Sequence, residues 1–188
     1  MKKPSTIAVW MAQIRGPFLI LAVLLVAIGL AFAYKIPGSA GKDFNWLHAI
    51  LLVIGIVSAH ISVNLFNEYS DNKTRIDSKT QRTPFSGGSG MMQQGWTRPG
   101  QVLAVALGTL LLSFLIGLYF TFTAHWFIFL LTVIGGITIV SYTEGLAKIQ
   151  LGELFAGLAL GSLVVIGSYV AMTATPDMSV SELMPLKV

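Results

Sequence analysis

The sequence has no cysteine, and only 11% of its 188 residues are charged. Without thiols there is no disulfide, no Fe–S cluster and no thiolate nucleophile. A soluble domain carries about a quarter charged residues, so a chain this poor in charge is not water-facing throughout. Acidic residues are the scarcest, 8 against 12 Lys and Arg, for a net charge of +4. In an apolar chain such an excess of cations belongs to loops that fix membrane topology. No nucleic-acid partner is expected. Internal repeats and low-complexity tracts are also lacking. What the chain has in quantity is apolar surface, 54% of its residues, and the lipid bilayer is its expected surrounding.

Long apolar runs fall at 18–34, 46–66, 101–122, 125–142 and 152–172. Each approaches the roughly 20 residues that cross a bilayer core, which predicts an all-α polytopic bundle of about five spans. A secretory leader ending near Ala31-Phe32-Ala33 is the competing reading of the first run, but more spans follow it. The third and fourth runs part only at Thr123–His125, a tight helical hairpin. With the N-terminus cytoplasmic, that side receives Lys2, Lys3, Arg15, Lys73, Arg75, Lys79, Arg82, Arg98 and Lys148. The other side receives Lys35, Lys42 and Lys187, as the positive-inside rule expects. Glycines at 108, 117, 135, 136, 152, 157, 161 and 167 are read as close helix packing. Trp46, Trp96 and Trp126 are read as interface anchors, and His48 and His125 as boundary residues.

The densest polar cluster runs from Asn64 to Asp77, at the end of the second run. On a helix His60, Asn64, Asn67 and Asp71 share one face, with Glu68 beside it. Oxygen-rich side chains at a membrane helix end are costly to desolvate, so they face water, a partner or an ion. Hard oxygen donors that leave positions open for phosphate suit Mg²⁺. The next loop, Ser78 to Gly90, adds Lys79, Arg82, hydroxyls and glycine-exposed backbone N–H groups, which suit a diphosphate held by a metal. His60 has two readings, a contact to a substrate or an ordinary helix–helix hydrogen bond. Tyr69 and Tyr142 have two readings, lining a substrate pocket or packing, and packing is preferred.

Asn64-Leu65-Phe66-Asn67-Glu68-Tyr69-Ser70-Asp71, then Asp77, Arg82 and the Ser86–Gly90 turn, resembles the first aspartate-rich motif of the UbiA superfamily of membrane prenyltransferases. It is most similar to the branch that prenylates 1,4-dihydroxy-2-naphthoate for menaquinone. Arg15-Gly16-Pro17 before the first span and Gly152-Glu153-Leu154-Phe155 entering the fifth agree with it. The resemblance implies one domain over 1–188 with a cytoplasmic motif loop at 67–100, the N-terminal part of a nine-helix fold. It implies an enzyme of the plasma or inner membrane that moves an isoprenyl group from its diphosphate to an aromatic acceptor. By position, Asn67, Asp71 and Asp77 would be catalytic and hold Mg²⁺, while Asn64, Glu68, Lys79 and Arg82 would bind substrate. The chain departs from the pattern at Glu68, where aspartate is usual, and at Arg75, often glycine. No second aspartate-rich motif occurs, and the tail at Thr173–Val188 reads as cut off after a new helix entry at Ser179–Glu182. The alternative is therefore a half-length member that binds isoprenyl diphosphate or a partner subunit without turnover.

Overall fold

The computed structural model describes residues 4–35, 44–74, 88–141 and 157–183. They form helices α1 (Thr6–Gln13), α2 (Leu19–Lys35), α3 (Trp46–Thr74), α4 (Pro99–Thr123), α5 (Phe127–Ser141) and α6 (Val164–Thr173). A π-helical turn, Leu158–Leu163, leads into α6, and a 3₁₀ turn, Val180–Glu182, follows it. Among the described residues there is no strand. The chain is thus an all-α, polytopic membrane bundle. Among the described residues three helices are long and apolar enough to cross a bilayer, beginning at Gly16, Trp46 and Pro99. Two shorter apolar helices stand in the fourth and fifth runs.

Local chemistry sets the helix ends. The Ser5 hydroxyl accepts from Ala8 N–H, the Asn45 side chain accepts from His48 N–H, and Pro99 occupies the first turn of α4. Each satisfies or removes a donor that a helix start leaves orphaned. The chain turns out of α1 through Arg15, at φ 53°. A side chain in that left-handed region costs about 1 kcal/mol, so the corner must be held by something else. The new helix entry expected at Ser179 is present as a capping box, in which Ser179 N–H and hydroxyl both donate to Glu182. Those hydrogen bonds hold the Glu182 carboxyl below the usual carboxylate range, the hydroxyl contributing most.

α3 packs most extensively on α4, and α2 on α6. Ser62 links α3 to α4 by donating to the Ala106 carbonyl at 2.8 Å. The larger apolar core gathers Val26, Leu52, Phe120, Ile128, Val170 and Met172. A second core, Leu65, Met92, Val102 and Ala106, lies beside Trp10, Ile14 and Tyr69. Tyr69 therefore packs, as expected. His125, read as a boundary residue, is fully buried at the α4–α5 turn, pairs with the Met178 carbonyl at 2.9 Å and accepts from Phe127 N–H. It closes the α4–α5 hairpin and ties it to the segment after α6. Of the glycines read as packing sites, Gly117 packs closely against Thr132 and Gly167 meets Leu131, Gly152 lies outside the described residues, and among the described residues nothing stands where a Cβ of Gly108, Gly135, Gly136, Gly157 or Gly161 would.

Candidate functional site

α3 is 29 residues long, about 43 Å at 1.5 Å per residue. A bilayer core is about 30 Å thick, so α3 is more than two turns longer than a straight crossing needs. The polar residues are found at its C-terminal end. Asn67 and Asp71 belong to the helix itself, which runs through Thr74. They are one turn apart and half-buried.

Asn64 is 7% exposed and its side-chain amide donates to the Ile14 carbonyl at 2.9 Å. That carbonyl is one that the end of α1 leaves without a helical partner. Asn64 thereby fixes the α1 corner and, with it, Arg15. Gln13, fully buried, adds a second tie from α1 by donating to Thr97 at 3.0 Å.

Glu68 is 1% exposed. One carboxylate oxygen accepts from Ser89 N–H and the other from the Ser89 hydroxyl, each at 2.6 Å. Gly88 and Gly90, on either side, have φ 64° and 74°, a backbone that favours glycine. The Ser-Gly turn is thus seated on the motif helix by a buried carboxylate. Asp77, Lys79 and Arg82 lie outside the described residues, in the segment between α3 and this turn. Tyr142 and Glu153 also lie outside them.

A cavity of about 880 Å³ opens from this end into the bundle. It is near the upper end of the roughly 300–1,000 Å³ of small-molecule sites. Arg15, His60, Asn64 and Asn67 line its polar end. Its body is apolar, walled by Leu52 and Ile56 of α3, Leu110, Phe114 and Phe120 of α4, Leu131 and Ile137 of α5, and Val164 of α6. Gly135 and Gly136 border it without side chains.

The structure brings Asn64, Asn67 and Glu68 to one end of α3, with Asp71 a turn further on, but it gives them different surroundings. Asn67 lines the cavity, Asn64 both lines it and ties α1, and Glu68 holds Ser89. In the sequence Arg15 reads as a topology charge and a flanking mark, not as a site residue. The signal was present, a cation in Arg-Gly-Pro immediately before an apolar run, but nothing local says that it turns toward α3. Among the described residues no three His, Asp or Glu side chains converge as a metal centre. Asn67 and Asp71 carry oxygens of the hard kind that Mg²⁺ takes alongside water and phosphate.

Residues 36–185 match the UbiA prenyltransferase family. Over 116 residues the chain is 33% identical to the 1,4-dihydroxy-2-naphthoate octaprenyltransferase of Bacillus subtilis strain 168. That match covers 60% of this chain and 36% of the relative. The chain thus spans about a third of the length of the curated relative it matches. No solved structure matches it.

Proposed function

Because the chain belongs to the UbiA prenyltransferase family, we propose that it serves transfer of an isoprenyl group from an isoprenyl diphosphate to an aromatic acceptor within a membrane. The acceptor is of the dihydroxynaphthoate class named for the relative, a quinone precursor. The observation that carries this reading is the asymmetry of the cavity, a largely apolar body with its charged and amide side chains, Arg15, Asn64 and Asn67, at one end. An amphiphile with a diphosphate head and a hydrocarbon tail fits that division.

In this reading Asn67 and Asp71, with Asp77 from the following loop, hold Mg²⁺ and the diphosphate at the polar end. Bound there, Mg²⁺ supplies charge neutralisation for the departing diphosphate. Lys79 and Arg82 add cationic donors to the same oxygens. Arg15, which lines the cavity, is a further cation for the head group. The allylic C–O bond breaks with its electron pair leaving on the diphosphate. A ring carbon of the acceptor supplies the pair for the new C–C bond and then releases its proton. The apolar walls exclude water from the allylic cation. Asn64 and Glu68 act by position, Asn64 holding the α1 corner and Glu68 the Ser-Gly turn. We place the N-terminus and the motif loop on the cytoplasmic side of the plasma or inner membrane, on the distribution of Lys and Arg.

The second reading is binding of an isoprenyl diphosphate, or of a partner subunit, without turnover. Purified protein in lipid nanodiscs, given geranylgeranyl diphosphate, dihydroxynaphthoate and Mg²⁺, separates the two by mass spectrometry of the products. Prenylated naphthoate supports transfer. Retained diphosphate with no product supports the binding reading, and neither binding nor product overturns both.

A further inference from the structure

Three histidines are present in this chain, and two are held by protein partners. His48 pairs through Nε2 with the Tyr119 hydroxyl at 3.1 Å, and His125 with the Met178 carbonyl and Phe127 N–H. His60 differs. It is 6% exposed, lines the cavity, and its Nδ1 has no hydrogen-bond partner among the described residues. The helix–helix hydrogen bond that would be its ordinary role is made nearby by Ser62 to Ala106. A buried ring nitrogen without a partner is costly unless something else fills it.

The position says what that is. His60 stands seven residues before Asn67 on α3, about 10 Å along the helix axis. A head group at Asn67 therefore puts the first carbons of its chain beside the imidazole. Around His60 the cavity wall is apolar at Ile56, Ala59 and Val63 of the same helix, with Asn64 and Arg15 on the side toward the polar end. A neutral imidazole nitrogen is an acceptor, and a hydroxyl on an arene supplies the one donor it needs while the ring lies against the apolar wall. We propose that Nδ1 of His60 accepts a hydrogen bond from the hydroxyl of the aromatic acceptor, setting its ring beside the reacting end of the isoprenyl chain. This rests on the prenyl-transfer reading and adds the residue that selects a hydroxylated ring.

The test uses two probes that differ in one hydrogen-bond donor, 1-naphthol and 1-methoxynaphthalene, with the full chain in nanodiscs. The unmodified protein is expected to prefer the naphthol by about tenfold, the worth of one buried hydrogen bond. In His60→Phe the two probes should bind within about twofold of each other, and His60→Gln should recover part of the preference. Equal binding by the unmodified protein, which depends on no variant folding, overturns the proposal. So does an unchanged preference in His60→Phe. The same samples are titrated with geranylgeranyl thiodiphosphate and Mg²⁺. Thiodiphosphate binding without naphthol preference sinks the role of His60 alone. Naphthol preference lost in His60→Phe, without thiodiphosphate binding, keeps the hydroxyl site and sinks the prenyl-transfer reading.

Discussion

Asn64 and Glu68 sit four residues apart on one helix, yet each is engaged by a different part of the chain. Asn64 reaches Ile14, 50 positions away, and Glu68 reaches Ser89, 21 positions away. Asn64→Ala leaves the Ile14 carbonyl unpaired in a buried corner, at about 1–3 kcal/mol; a fall in thermal midpoint together with loosened α1 in hydrogen exchange checks it. For Glu68 and Ser89, a double-mutant cycle of Glu68→Gln and Ser89→Ala on unfolding free energy should give a coupling of about 1.5–3 kcal/mol, as for hydrogen bonds to a buried charge. A coupling near zero would mean that the carboxylate does not hold the turn. The shared face of His60, Asn64 and Asn67 was legible beforehand because helical periodicity is local. The partners were not, since they come from elements distant in sequence.

Helices meet here through surfaces that glycine spacing alone does not reveal. At Gly117 an added Cβ would lie 2.4 Å from the Thr132 hydroxyl and 2.7 Å from its methyl group. Gly108, on the same helix, is exposed and meets nothing. Gly117→Ala should therefore destabilise the protein by about 1–3 kcal/mol through overpacking. Gly108→Ala should be neutral or stabilise it by up to about 1 kcal/mol through helix propensity. Thermal unfolding of both variants in detergent decides, and equal effects would contradict this account of the α4–α5 contact. Both positions look alike in the sequence, small residues in an apolar run, because packing and lining use the same residue type. The α4–α5 hairpin was legible from its short polar break. The burial of His125 was not, because its partner Met178 lies 53 positions further on.

For the whole molecule, the bundle places a polar helix end over an apolar cavity. The bundle could be read from five apolar runs, and the polar end from one motif. The cavity could not, because it is made by four helices whose order of packing no local pattern encodes. If its apolar body holds the isoprenyl chain, Gly136→Phe fills space that is now empty. The affinity ratio of a twenty-carbon to a ten-carbon diphosphate analogue should then fall by about tenfold, a loss of about 1.4 kcal/mol of tail contact. An unchanged ratio would move the tail elsewhere. The central claim is that the polar end of α3 holds the diphosphate through Asp71 with a divalent cation. It is tested most directly by titrating geranylgeranyl thiodiphosphate into the purified protein and its Asp71→Asn variant, with Mg²⁺ and with EDTA. The account predicts binding that requires Mg²⁺ and weakens at least about tenfold in the variant, the scale of a lost charged ligand. Equal binding by both proteins, or binding indifferent to Mg²⁺, would contradict it.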